Sequence, residues 1–111
     1  MKVSEMSGDL LDYWVARAEG MDHETALFAV SAHAYSTEWV YGGPIIERER
    51  FVIDGHTLRR GGFSARHVTE KVSAKRNVRY VSHYGFGPTV LIAAMRAFVA
   101  AKFGKEVPDA V

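Results

Sequence analysis

The sequence contains no cysteine among its 111 residues. Disulfide bonds, thiolate metal ligands and cysteine nucleophiles are therefore excluded, and this composition is typical of a reducing cytoplasm. Long hydrophobic runs are also missing, because the longest one, which starts at Val90, is interrupted by Arg96 and is too short to span a bilayer. Residues 1–6 lack the apolar core of a signal peptide. We therefore expect a soluble cytoplasmic protein that makes no membrane contact.

The chain contains no internal repeat, low-complexity segment or linker. Its 111 residues are enough for one modest hydrophobic core. Hydrophobic residues make up 48% of the chain and charged residues 24%, which argues against disorder. The sequence therefore predicts a single domain over residues 1–111.

Charge is unevenly distributed along the chain, although the net charge is only +1. Residues 1–55 hold four basic and ten acidic residues, a net charge of −6, whereas residues 56–83 hold seven basic and one acidic, a net charge of +6. A basic surface attracts an anionic partner such as nucleic acid. The alternative is that the two segments pack together and neutralise each other. The candidate basic surface consists of Arg66, Lys71, Lys75, Arg76 and Arg79.

Apolar periodicity and capping residues predict a helix near each end of the chain. The first covers residues 8–19, with Ser7 as the N-cap. The last is predicted to have Gly87 as its cap and Pro88 as its first helical residue, and to end at Gly104. Because this last helix is apolar on almost all sides, we expect it to lie centrally, against the sheet and the first helix.

The middle of the chain is predicted to hold a short helix and several strands. Residues 25–30 are interpreted as a buried strand, and their alanines favour a helix as the alternative. Gly43 as cap and Pro44 as first residue predict a short helix that ends near Arg50. Strands are predicted at residues 51–53, 63–72 and 78–84, and a turn around residues 75–77 joins the last two. The predicted fold class is α+β: a short antiparallel sheet packed on an N-terminal helix and a buried C-terminal helix.

Several segments resemble a known protein family. They read YSTEW at residues 35–39, GGPIIERE at 42–49, GPT at 87–89 and LIAAMR at 91–96, with further similarity at 11–20 and 104–109. These strings are similar to the NinX-like family of small bacteriophage and prophage proteins, a domain of unknown function. The resemblance implies a phage-encoded accessory protein that acts in the cytoplasm of a bacterial host, and it supplies no biochemical activity.

Two segments, residues 21–34 and 55–84, depart from the pattern of that family. Members of that family have a tryptophan-containing strand, and the resemblance implies that Phe63 stands in place of this tryptophan here, with an extended basic hairpin after it. We therefore expect any role of this hairpin to belong to this protein rather than to its relatives.

Arg96 is the only charged residue between Val90 and Ala101. A buried guanidinium requires a polar partner, and Glu47 or Glu49 is the expected carboxylate. One interpretation is a buried ion pair that fixes the packing of two helices. The other is a guanidinium that faces a pocket and binds a carboxylate or phosphate.

Two further features are candidates for binding. The helix start at Gly87, Pro88 and Thr89 offers free backbone amides to an anion, although water or a neighbouring side chain is the ordinary occupant. Tyr35 and Trp39 precede the Gly-Gly-Pro segment and are candidates for an interaction hot spot or for base stacking. The alternative for Trp39 is that it plugs one end of the core.

No cofactor or metal ion is expected, because the five histidines lack paired metal-ligand spacing and no catalytic constellation is recognisable. The first functional hypothesis is a non-enzymatic module that binds a host or phage macromolecule. Nucleic acid is one such partner, since Phe63, Tyr80 and Tyr84 accompany the basic residues, although no recognised nucleic-acid motif does. The second is a small-molecule or anion-binding domain centred on Arg96 and the helix start at Thr89. A homodimer is compatible with either hypothesis.

Overall fold

Within the described residues, the chain forms four α-helices and a three-stranded sheet. A computed structural model describes residues 1–55 and 61–108. The elements are a 3₁₀ turn (Val3–Glu5), α1 (Gly8–Ala18), α2 (His23–Ala32), α3 (Trp39–Glu49), β1 (Val52–Gly55), β2 (Phe63–Val72), β3 (Val78–Gly87) and α4 (Val90–Phe103). The strands are antiparallel in the order β1-β2-β3. This architecture confirms the predicted α+β class.

Helix α4 lies at the centre of the described structure, as predicted. It packs against β2 and β3 and also against α1. Its side chains of Leu91, Met95 and Phe98 are buried, and each contributes about 1.5–3 kcal/mol to stability through burial. Gly104, at φ 87°, ends the helix as predicted. None of the helices in the described part of the chain is both long enough and apolar enough to cross a membrane.

Helix α4 starts later than predicted. Gly87 is the last residue of β3, and the first helical residue is Val90. Thr89 is the N-cap, because its Oγ1 accepts a hydrogen bond from the backbone N–H of Ile92 (3.1 Å). The prediction of Gly87 as cap is therefore wrong: a threonine hydroxyl satisfies a free helical N–H that glycine leaves to water.

The predicted strand at residues 25–30 is wrong, because these residues lie in α2. The side chain of Asp22 caps the helix by accepting a backbone hydrogen bond from its first turn. Ala26 and Ala29, three residues apart, are buried, whereas the side chain of Phe28 is exposed. Only a narrow alanine stripe therefore faces the protein, and the apolar residues on the solvent side obscure the helical period.

Helix α3 begins at Trp39, earlier than predicted, so Gly43 and Pro44 lie inside the helix rather than at its start. A proline inside a helix leaves the carbonyl four residues earlier without its usual donor. That carbonyl belongs to Val40, which is exposed, so water can satisfy it. Arg50, in the left-handed conformation at φ 54°, ends the helix where expected.

The predicted strands are present with small shifts. Strand β2 covers the predicted residues 63–72, and β1 covers 52–55 instead of 51–53. Strand β3 continues to residue 87, three residues beyond its predicted end. The resulting β2–β3 hairpin pairs without interruption over ten residues of each strand.

Candidate nucleic-acid interface

The β2–β3 hairpin has two unlike faces. Ala65, His67 and Gly85 are buried on the inner face, against which α4 packs. Because side chains alternate along a strand, the residues between them lie on the opposite side, here called the outer face. Its exposed side chains are those of Arg66, Val68, Glu70, Val72, Val78, Tyr80, Ser82, Tyr84 and Phe86.

Two tyrosines dominate the outer face. Tyr80 and Tyr84 are 68% and 56% exposed. They are four residues apart on β3, so their Cα atoms are separated by roughly 13 Å. Tyr84 lies opposite Arg66 on the neighbouring strand, and the exposed Phe86 follows on the same side of β3. Phe63, which the sequence groups with the tyrosines, lies on the inner side and packs against the core.

All five residues of the candidate basic surface are exposed on the hairpin. Lys71 and Arg79 lie directly opposite each other, and Lys75 and Arg76 lie in the turn beyond them. Over the described ranges, none of the five forms an ion pair with a carboxylate. Neutralisation by the acidic half of the chain is therefore not found for these residues. Residues 56–60, which contribute two more basic residues, lie outside the described part of the chain.

The predicted ion pair between Arg96 and Glu47 or Glu49 is wrong. Arg96 Nε donates to the backbone oxygen of Met6 (2.8 Å), and Nη1 donates to the backbone oxygen of Phe86 (2.7 Å). Glu49 contacts other side chains, and Glu47 is exposed. Carbonyl oxygens satisfy the guanidinium without neutralising its charge, and burial lowers the pKa of Arg96.

Arg96 lines a groove of about 860 Å³, here called the Arg96 groove. Its lining includes two more cations, Lys2 and Lys105, and one acidic residue, Glu106. Tyr84 belongs both to this groove and to the outer face. The position of Arg96 favours the interpretation of a guanidinium that faces a pocket, while its role in binding stays a prediction.

Lys2 and Lys105 line the Arg96 groove, although no pattern in the sequence predicts them as site residues. They come together because the two ends of the chain pair: the backbone N–H of Val3 donates to the carbonyl oxygen of Lys105 (2.9 Å), and Lys2 bridges to Glu106. No local sequence pattern indicates a contact over such a separation along the chain.

The other predicted site residues lie elsewhere. Thr89 and Trp39 line a smaller cavity of about 370 Å³ together with Phe63, so the structure does not bring Thr89 into the Arg96 groove. Trp39 is 58% exposed, and the interpretation that it plugs the core is wrong. Tyr35 is buried, at 6% exposure. Binding roles for these residues stay predictions.

Two histidines face each other on the inner side of the hairpin. His67 is 5% exposed, with its Nε2 3.7 Å from Glu49 Oε1. His83 lies opposite it and hydrogen-bonds through Nε2 to Thr69 Oγ1 (3.1 Å). Burial lowers the pKa of both His67 and His83, and the negative charge of Glu49 opposes this effect at His67. Among the residues that the structure describes, no group of three or more histidine, aspartate or glutamate side chains is arranged to hold a metal ion.

We expect the free energy of unfolding to decrease as the pH falls below about 6.5, the ordinary pKa of histidine. Because the folded protein holds His67 at a lower pKa, the unfolded chain binds more protons below that pH, and acid favours unfolding. Urea denaturation at pH 7.5 and 5.5 measures the effect. His67→Gln should reduce the difference relative to the wild type. An undiminished difference in His67→Gln would contradict this explanation.

The structure is that of a small α+β protein with an exposed β2–β3 hairpin. A family model described as Bacteriophage P22, NinX matches residues 2–102. Because this match covers most of the chain, the protein belongs to that family, which confirms the resemblance and supports a phage-encoded accessory protein. The match runs through residues 21–34 and 55–84, so the basic hairpin lies inside the matched region, whereas residues 104–109 lie beyond it. No curated protein matches the chain.

Proposed function

We propose that this phage protein is a non-enzymatic module that binds single-stranded nucleic acid on the outer face of the β2–β3 hairpin. The observation that supports this function is the exposure of Tyr80 and Tyr84 on one face, beside Arg66, with a cationic hairpin end beyond them. An aromatic platform bordered by cations is a common way to bind a single strand without regard to its sequence.

The aromatic rings favour a single strand over a duplex. Burial of large aromatic side chains ordinarily stabilises a fold, yet more than half of the surface of Tyr80 and of Tyr84 is exposed to solvent. Unpaired bases expose flat faces that stack on tyrosine, and each stacked base contributes about 1–3 kcal/mol. In a duplex these faces are already stacked on neighbouring bases, so they are not available to the protein.

The charges favour an anionic polymer. Lys71 and Arg79 lie directly opposite each other at the end of the hairpin, on the side away from Tyr80 and Tyr84, and like charges in this position destabilise a sheet. Phosphate groups near the hairpin would relieve this repulsion. Glu70 is the one acidic residue of the hairpin strands, so the end of the hairpin keeps a positive charge.

Binding of a labelled single-stranded oligonucleotide of twelve thymidines, measured by fluorescence anisotropy between 50 and 300 mM salt, tests this function. Contacts with three to five phosphates predict a slope of about −2 to −3.5 in a plot of log K against log salt concentration. We expect weaker binding to a duplex of the same length. Polyglutamate of equal charge is the control for unspecific attraction and should compete poorly.

Absence of binding at 50 mM salt, or an affinity that does not change with salt, would exclude this function. Equal competition by polyglutamate would reduce the interaction to general attraction between opposite charges.

A small-anion site at Arg96 is the second candidate function. It is favoured by the partly buried guanidinium of Arg96, which lines a groove. This guanidinium contacts carbonyl oxygens, and among the described residues it contacts no carboxylate. Calorimetric titration with thymidine monophosphate tests it, and a failure to detect heat that depends on Arg96 would exclude it.

A further inference from the structure

The Arg96 groove runs along the open edge of the sheet. Strand β3 is the last strand in the order β1-β2-β3, so one of its backbone edges has no neighbouring strand among the described residues. The carbonyl of Phe86 points to this edge, because it accepts the hydrogen bond from Arg96. Since backbone direction alternates along an antiparallel strand, the N–H and C=O groups of Tyr84 and Ser82 point to the same edge. Both residues also line the groove.

The guanidinium of Arg96 is held in place but keeps donors for a ligand. Its bonds to the carbonyl oxygens of Met6 and Phe86 use two of its five N–H groups. Three N–H groups remain, and Arg96 lines a groove that Lys2 and Lys105 also line. A fixed guanidinium fork matches the geometry of phosphate oxygens, and a rigid donor loses little entropy on binding.

We propose that the Arg96 groove binds the phosphodiester backbone of a nucleic-acid strand whose bases stack on Tyr80 and Tyr84. This inference rests on the proposed function and adds the path of the strand, which runs beside β3. Tyr84 and Ser82 connect the two parts, since they belong to both the outer face and the groove lining. The strand thus places its bases over the sheet and its charge over the edge, where Lys2, Lys105 and the guanidinium of Arg96 lie.

The double variant Lys2→Ala/Lys105→Ala tests the path, because both side chains are exposed and their removal should not disturb folding. If each lysine contacts one phosphate, the salt slope becomes less steep by about 1.4, and affinity at 0.1 M salt falls about 25-fold. Lys102→Ala is the matched control, since this exposed lysine lies on α4 and does not line the groove. It should keep the wild-type slope.

Arg96→Lys is a second variant, which keeps the positive charge but loses the guanidinium fork. We expect it to weaken oligonucleotide binding about tenfold. Because lysine cannot keep both bonds to the carbonyl oxygens of Met6 and Phe86, the variant should also be less stable, and affinity is compared at a temperature at which thermal unfolding shows both proteins to be folded. An oligonucleotide with uncharged methylphosphonate linkages should bind weakly to the wild type. Because it offers no phosphate charge to the two lysines, the lysine double variant should bind it with the same affinity as the wild type does.

The outcomes separate this inference from the function on which it rests. If the wild type fails to bind the twelve-thymidine strand, both are wrong. If it binds, but the lysine double variant behaves like Lys102→Ala, the function stands and the path through the groove is wrong. If thymidine monophosphate binds as tightly as the strand, through Arg96 alone and without Tyr80 or Tyr84, the groove is a small-anion site and the path is again wrong.

Discussion

Replacing Gly85 with alanine is expected to lower the free energy of unfolding by about 3 kcal/mol or more. Gly85 lies on the inner face of β3, where α4 approaches the strand backbone. A Cβ atom at this position would lie 2.5 Å from the backbone nitrogen of Ala97 and closer still to the carbonyl oxygen of Ala93. Both are helix backbone atoms, so no side-chain rotation can relieve the clash and α4 must move away from the sheet.

Gly55→Ala is the matched control, because Gly55 also lies in a strand, β1. The nearest atom to a Cβ there is a ring carbon of Phe63 at 3.6 Å, which is ordinary contact. We expect a change within about 1 kcal/mol of wild type, since alanine also restricts the unfolded chain. Urea denaturation followed by circular dichroism measures both variants. Equal stabilities for Gly85→Ala and Gly55→Ala would contradict the close packing of α4 on β3.

The sequence predicts those elements whose ends carry local signals. Helix α4 combines a wide apolar surface with Gly104 at its end, and the β2–β3 hairpin alternates around a polar turn. Helix α2 has a capping residue, Asp22, but its apolar pattern is misleading, because Leu27 and Phe28 face solvent and disguise the buried alanine stripe. The start of α3 is misread because Pro44 is typical of a first helical turn, and only the packing of the chain shows that the helix begins earlier.

The candidate site could be predicted in part. Alternation along β3 is enough to place Tyr80 and Tyr84 on the side opposite Gly85, and the run of basic residues is visible directly. The partners of Arg96 could not be predicted, because they are backbone carbonyls and one of them, that of Met6, lies near the other end of the chain. Every residue has a backbone carbonyl, and no side chain in the sequence indicates which carbonyl will accept a hydrogen bond from Arg96.

The double variant Tyr80→Val/Tyr84→Val is expected to weaken binding of the twelve-thymidine strand by about 30-fold or more. Each lost stacking contact removes about 1–3 kcal/mol, and a total of about 2 kcal/mol corresponds to this factor. Valine is a good strand residue, and both positions are exposed, so the hairpin should remain folded. Anisotropy titration at 0.1 M salt, with thermal unfolding of the same sample, measures affinity and integrity together.

Two comparisons show whether ring stacking is the cause. Tyr80→Phe/Tyr84→Phe keeps the rings and should bind within a few-fold of wild type. Phe28→Leu removes an exposed aromatic ring from α2, outside the outer face, and should bind as wild type does. A loss in the phenylalanine variant as large as in the valine variant would assign the effect to the hydroxyl groups. Unchanged binding in the valine variant would mean that the bases do not lie on the outer face.

The salt slope is an independent test of stacking. Because the tyrosine rings are neutral, removing them should lower affinity at every salt concentration while leaving the slope unchanged.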